Sequence, residues 1–554
     1  MIRNSYIVVF SVMLAALFSL NCGKRNTSEI NSFNMNFYTG LETLDPVMSN
    51  APASIWVLNQ VMETLVQYDK SNNLVPALAS SYEISDDALV YTFHLRRGIK
   101  YQNDLCIPQG RTLNASDVKY CLERVNNPSS KTRGLWVFRD KIKGAEDYSL
   151  KKANSIEGLQ VLNDSTIRII LVKPFAPFLS LLTMSYALIY PPEAVAYYGE
   201  NFGFHPVGTG PFKFVRWEID KELILSKNEN YYQTDSLGKS LPYLDNIKIS
   251  FKQSTESEYL DFLNGDFDYH EPTFEMLQAL TDENGNLLSP EKRDFTLVRQ
   301  PWLNTVYLIM LQDTSLPGGK SSPFVNNRNL RKAINFSVNR DKIVKYILRG
   351  RGIPATNGPL PIGLPGYSED TKGYSYNPDS ARLYFRKAGY PDGKGLNLTL
   401  FISNDELQKS LAIALQNQLA DFGVQMNIEQ VMQSVLNSQQ QYGELSFTRG
   451  NWGADYYDPE NFMALFYSKN IIPFGPNKTG YRTPLADSLY ELAMRIKDFD
   501  IRAKLYNEME KIVIDDAAWA ILYYNVRIYL LKKNISGFYL DGLNNIVLKY
   551  TSKN

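Results

Sequence analysis

Histidine and cysteine are scarce in this 554-residue chain, with three of each. His94, His205 and His270 lie far apart, no histidine follows position 270, and no HExxH, GxSxG or phosphate-loop spacing occurs. Cys106 and Cys121 lack a partner pair with metal-like spacing. Catalysis and metal capture lean on clustered imidazole or thiolate, so an enzyme and a metal receptor are both disfavoured. An excess charge of one sign is missing too. With 58 basic and 58 acidic residues the formal net charge is +0, which leaves no basic field for nucleic acid. After Leu20 no run is long and apolar enough to span a bilayer. There is no internal repeat and no low-complexity segment.

The chain opens with Arg3, then an uncharged apolar run over 6–20 that is too short for a comfortable membrane span but suits a signal-peptide core. Ser19-Leu20-Asn21 before Cys22 resembles the bacterial lipobox, with Asn21 larger than the usual Gly or Ala. The expectation is a signal peptide over 1–21, lipidation of Cys22 and a polar tether over 22–30. Ordinary cleavage, releasing a soluble protein, is the alternative. Lipid on Cys22 leaves Cys106 and Cys121 as a lone pair in an oxidising compartment, where a disulfide is expected; a buried free thiol at Cys121 is the rival reading. What remains exceeds one hydrophobic core and implies about three domains. The 36 Tyr and 28 Phe suit sites that are apolar but wet at one end.

Helical and strand patterns alternate throughout, which argues for α/β domains. Asn114 caps a helix whose third position is Asp117, with Leu113 and Val118 as a staple and Val118, Cys121, Leu122 and Val125 on one face. A capping box at Ser403-Asn404-Asp405-Glu406 opens a second helix through Leu407, Leu411, Leu415 and Leu419, which Gly423 ends. Val424 to Glu429 and Tyr91 to Arg96 alternate as strands; His94, between Phe93 and Leu95, is a surface or packing residue. Stretches near 314–323 and 354–365 have linker-like composition.

The run Arg449-Gly450-Asn451-Trp452-Gly453-Ala454-Asp455-Tyr456-Tyr457-Asp458-Pro459 carries the most chemistry. Leu445-Ser446-Phe447-Thr448 before it reads as a short strand, and Asp458-Pro459 marks a turn. A strand ending in a loop with an indole and a carboxylate suits a small cationic group; a buried Trp with a turn-capping Asp is the bland alternative.

Several stretches together resemble the family 5 extracellular solute-binding proteins, the peptide and nickel receptors of bacterial ABC importers. They are Leu44-Asp45-Pro46, Met62-Glu63-Thr64-Leu65-Val66, Pro76-Ala77-Leu78-Ala79, Tyr91 to Gly98, Leu113 to Val118, Gly208-Thr209-Gly210-Pro211-Phe212 with Asn228 to Tyr231, Asn329 to Ile334 with Asn339-Arg340, Trp452 to Pro459, and Leu522-Tyr523-Tyr524. The resemblance implies a three-lobed periplasmic binding protein of class II type, α/β, with the ligand in a cleft between lobes. Lobe I would take 31–75, 206–300 and 521–554, lobe II 76–205, and lobe III 301–520, with the linker-like stretches as surface loops of lobe III.

It also implies roles. Asp455 would hold a peptide's ammonium, with Trp452 as a wall and Tyr456 beside it. Arg449 would reach the peptide carboxylate, unless it forms a salt bridge inside lobe III. Asn50, Ala51 and Pro52 would pair with the peptide backbone, although Pro52 has no N–H to give. Tyr524 and Asn525 would border the site or belong to the core. No cofactor is implied. The partners would be short peptides, a permease and ATPase, and the membrane through Cys22, with the protein monomeric. A sugar, opine, antibiotic or metal chelate, or a receptor or adhesin role without transport, are the alternatives; residues 301–520 hold no histidine, which counts against nickel.

Overall fold

The computed structural model describes residues 31–282 and 285–554. The expected signal peptide, tether and Cys22 lie outside the described residues. Among the described residues no helix is long and apolar enough to cross a membrane.

Three larger sheets organise the chain. Ser32–Asn36 pairs in parallel with Asn246–Ser250, which continues antiparallel through Glu222–Lys227 to Phe212–Glu218. Segments some two hundred residues apart therefore share one sheet. A second, antiparallel sheet is local: Ala79–Ile84, Val90–Leu95, Thr166–Ile170 and Leu159–Asn163. The third has seven strands, built on two long antiparallel strands, Phe295–Met310 and Trp519–Lys532. Their ladder runs from Phe295↔Lys532 to Ile309↔Trp519 and slips register between Pro301 and Thr305 and between Val306 and Tyr307. One end of this pair buries Phe295 and Leu530 against Phe262, Phe267 and Leu280. The other buries Val306, Leu308 and Met310 against helices Arg328–Ser337 and Glu406–Ala420.

Local chemistry explains most element ends. Asn114 caps Ala115–Asn126 through its side chain, and Asp117 returns the bond to the Asn114 N–H. The second capping box is displaced. Ser403 is the last residue of strand Asn397–Ser403, and Asp405 accepts from the Gln408 N–H instead. Gly423, at φ +77°, reverses the chain so that Val424 N–H closes on Leu419 O and leads into strand Gln425–Val431.

Two expectations need correction. Cys106 and Cys121 are free thiols, not a disulfide. The inward face of its helix commits Cys121 Sγ to the Tyr190 backbone, donating to O at 3.3 Å and accepting from N–H at 3.4 Å, while Cys106 sits half-buried on a turn, its N–H on Asp104. The segment near 354–365 is no surface loop either: Ala355, Leu360 and Leu364 are buried. Side chains satisfy its backbone, with Tyr524 Oη donating to Gly358 O at 2.6 Å, Thr305 Oγ1 to Pro359 O at 2.8 Å, and Leu360 N–H donating to Glu510 at 3.0 Å.

The scattered motifs converge on buried polar knots. Glu63 accepts from Thr209 Oγ1 at 2.9 Å, Tyr231 Oη at 2.9 Å and Tyr232 Oη at 3.2 Å. Gly210 must be glycine-sized, because a Cβ there would stand 2.5 Å from Gln60 O. Asp45 takes a two-pronged bond from Arg124 at 2.7 and 2.6 Å. Arg340 is fully buried and donates to the Ile521, Asn335 and Val338 carbonyls. These residues brace the chain and do not touch the Asp455 loop.

Candidate functional site

The strand before the Asp455 loop is longer and later than its composition suggests. It spans Phe447–Gly453, so Trp452 lies on the strand and Leu445 and Ser446 lie outside it. It pairs antiparallel with the long crossing strand from Met310↔Phe447 to Asn304↔Gly453 without a slip. Ala454 N–H donates to Leu303 O at 2.8 Å, and Arg449 O accepts from Gln440 Nε2 at 2.9 Å. Alternation then turns the backbone groups of 448, 450 and 452 toward the crossing strand and those of 449, 451 and 453 away from it. On that outer side strand Asn397–Ser403 is in register only at Phe401↔Thr448. Among the described residues no strand is in register with Asn451 or Gly453 on that outer side, which leaves their outward main chain as an open edge.

Asn461 organises the loop that follows. Its Oδ1 accepts from Trp452 Nε1 at 2.9 Å and from Asp455 N–H at 3.2 Å, and its Nδ2 reaches Asp455 Oδ2 at 3.5 Å. Asn461 is buried, on the first turn of the short helix Glu460–Met463. The sequence reading missed it; the available signal was an amide just past the Asp458-Pro459 turn. Asp455 is exposed by surface area, although enough protein stands around its carboxyl to displace part of its water. Burial lifts its carboxyl above the ordinary range, and the Asn461 bond only partly offsets this. Among the described residues no cation lies within ion-pair distance of it.

Under the loop, Asp458 is buried, accepts from Glu460 N–H at 2.9 Å and pairs with Arg502 at 2.5 Å. Glu460 takes the hydroxyls of Tyr456 and Tyr490. Tyr456 therefore points into the core and not toward a ligand.

The other candidates divide. Arg449 is three positions from Trp452, so the two occupy opposite faces of the strand. Its guanidinium reaches Tyr523 Oη at 3.3 Å, and no ion pair to it exists among the described residues. Ala51 caps helix Pro52–Val61 and gives its carbonyl to Ile55 N–H at 3.1 Å, so that carbonyl is spent within the helix. Asn50 and Pro52 are exposed. Tyr524 is core, its hydroxyl on Gly358 O, and Asn525 bonds Asn304 at 2.5 Å beside Gly453.

The 301–520 segment contacts both the 31–75 and 76–205 segments. Ala176 N–H donates to Met494 O at 3.0 Å, and Lys497 lies 3.7 Å from Asp86. The Tyr68 and Tyr457 rings pack at 5.4 Å. Among the described residues no group of three or more His, Cys, Asp or Glu is placed to hold a metal ion.

The profile described as bacterial extracellular solute-binding proteins, family 5 Middle, matches residues 73–474. The glutathione-binding protein GsiB of Salmonella choleraesuis is 28% identical over 505 residues, 90% of each chain. Among solved structures, HbpA2 from Haemophilus parasuis aligns with a TM-score of 0.80 at 23% identity, covering 95% of this chain and 100% of that one. The periplasmic binding protein DppA from Helicobacter pylori, in complex with the peptide STSA, aligns with a TM-score of 0.71 at 25% identity over 94% and 98%. The chain belongs to the bacterial extracellular solute-binding proteins of family 5.

Proposed function

We propose that this protein is the substrate-binding subunit of an ABC peptide importer, exported and held at the membrane surface by lipid on Cys22, and that it delivers short peptides from an inter-lobe cleft to a permease and its ATPase. The observation that carries this reading is Asp455, an accessible but partly desolvated carboxylate held by one amide, with no cation in ion-pair distance among the described residues. A ligand ammonium would supply the missing charge. The open edge at Asn451 and Gly453 supports it as well, because an extended peptide adds to such an edge through its main chain and leaves side chains loosely specified. Among the relatives, one is named for glutathione, a short peptide, and one was solved with a peptide bound, while another is named for heme. The three lobes keep the boundaries given above, with a monomer as the working unit. Binding favours the closed form by the difference in affinity between open and closed states.

The test is a mixed di- to hexapeptide library offered to the purified protein, read by mass spectrometry of co-eluting ligand and by thermal shift. Peptide at 100 times its dissociation constant adds about 2.7 kcal/mol of stability. The expected result is stabilisation by free peptides that is lost in Asp455→Asn and absent with N-acetylated peptides. No response to any peptide would remove the assignment and leave the family's fold with another solute.

A further inference from the structure

Asn31 enters the fold at one corner of the sheet that begins with Ser32–Asn36. Its Nδ2 donates to Tyr243 O at 3.1 Å, and its Oδ1 accepts the Lys553 N–H at 3.0 Å. Two tight turns border this corner. Asp69 N–H donates to Asn73 O at 3.0 Å and Asp235 N–H to Lys239 O at 2.9 Å. Each aspartate also accepts two backbone N–H groups of its own turn, which fixes the turn's shape. The turns present Lys70, Leu237 and Lys239, all exposed, Leu237 to 91%. Half-buried tyrosines lie behind them. Lys239 Nζ stands 4.4 Å over the Tyr243 ring, and Lys70 Nζ stands 4.6 Å over Tyr550 and 5.2 Å over Tyr539. Tyr243 N–H donates to Lys549 O at 3.2 Å, so the two aromatic groups join as one surface. The acidic groups here are already engaged: Asp235 takes the Tyr243 hydroxyl and Asp245 the Asn31 N–H. Lys70 and Lys239 have no ion pair among the described residues.

We propose that this corner, formed by Leu237, Lys70, Lys239, Tyr243, Tyr539 and Tyr550, is a footing that rests on the anionic surface of the bilayer holding Cys22. The inference rests on the lipid at Cys22 proposed above. Nine residues, 22–30, join that lipid to Asn31. An extended chain gains about 3.5 Å per residue, so the leash reaches about 30 Å at most. A compact chain of this length has a radius of gyration of about 24 Å. The far side of the molecule therefore cannot reach the bilayer, and the surface around Asn31 can. One exposed leucine is ordinary. Here it stands among phenol rings that are apolar at one end and wet at the other, and among lysines whose ammoniums are free to meet lipid phosphate. The footing sets one orientation of the lobes over the membrane, which a leash alone does not.

The experiment places the lipid-bearing protein on vesicles of phosphatidylcholine and phosphatidylglycerol in equal parts and scores flotation first. A short pulse of lysine acetylation, mapped by mass spectrometry, then compares each lysine with itself in detergent-dispersed protein. Lys320 and Lys394, exposed on the 301–520 segment, are the references. A lysine near an anionic surface gains about fivefold in partitioning, so Lys70 and Lys239 should be slowed by about fivefold or more while the references are not. High salt, which screens exposed charge, should shrink the difference. Leu237→Asp, at an exposed tip, should restore the reactivity of both lysines with flotation unchanged. Lys70 and Lys239 as reactive as the references on floating vesicles overturn the footing and leave the anchor standing. Protection that appears only after permease and ATPase are added overturns it as well, and makes the corner a protein contact. No flotation of the unsubstituted chain removes the lipid at Cys22, and the footing with it.

Discussion

Arg502→Met is the sharpest test of how the Asp455 loop is held. Arg502 and Asp458 are 7% and 3% exposed and meet at 2.5 Å. Removing one partner of a buried pair leaves the other charge stranded, which costs about 3–5 kcal/mol. Burial already holds the Asp458 carboxyl above its ordinary range, with Arg502 as the main influence pulling it down. Without Arg502 the carboxyl rises further. A carboxyl raised in the folded state loses its contribution to stability as pH climbs through its folded pKa and regains it as pH falls. The defect should therefore be largest at neutral pH and shrink on acidification. Native-state hydrogen exchange reads it locally: the amides of Asn461 and Phe462, bonded to Asp458 O and Pro459 O at 3.1 Å, should lose about two to four powers of ten in protection. Adding Asp458→Asn should restore part of this. A cost below about 1 kcal/mol, or one independent of pH, would refute the reasoning.

Glu510 offers a second pH test. It is buried against the 358–360 segment, and burial lifts its carboxyl from 4.5 to about 8, with the Leu360 N–H bond pulling the other way. Between those values the folded chain holds a proton that the unfolded chain releases, so stability falls by about 1.4 kcal/mol per pH unit of rise. Glu510→Gln should flatten that slope, and an unchanged slope in urea titrations between those pH values would count against the assignment. Alkylation followed by peptide mapping should label Cys106 before Cys121, and Cys121 only after denaturation, since Cys121 is buried and Cys106 half-buried, while desolvation raises both thiols; a Cys106–Cys121 crosslinked peptide would contradict the structure. Asn461→Ala frees both Trp452 and Asp455. It should cost about 1–3 kcal/mol of stability, because the half-buried Trp452 N–H loses its acceptor, and weaken peptide binding by about tenfold beyond that loss; unaltered affinity in the folded variant would show that the amide does not position the carboxylate.

Short-range features were legible where one residue acts on its near neighbours. The Asn114 cap and the Gly423 reversal follow from a side chain or a positive φ acting within a few positions. The second cap slipped by two residues because strand pairing claimed Ser403 first. That competition is a tertiary effect without local trace. The same cause hid the length of the Phe447–Gly453 strand, and with it the opposed faces of Arg449 and Trp452. Resemblance located Glu63, Thr209 and Tyr231 as separate motifs, yet only packing shows that hydroxyls 146 and 168 positions away converge on one carboxylate. The expected disulfide failed because compartment chemistry permits a bond that helix orientation then withholds. Asp455 stands out in the sequence from its Gly-rich surroundings, whereas Asn461, which bonds both it and Trp452, had no sequence pattern to announce it.

The two crossing strands have a mechanical consequence. They grip each other from Phe295 to Ile309 and yield register only at Pro301–Thr305 and at Val306 and Tyr307. Pro301 contributes no N–H to that stretch, and the neighbouring Trp302 stands partly in solvent. The pair is a torsion bar with two adjoining soft couplings. Twist applied at the Phe295 end is delivered across those couplings to the Asn304–Met310 stretch, which is bonded to the strand carrying Trp452. The indole, the open edge and the carboxylate beyond it are therefore geared to the far end of the molecule.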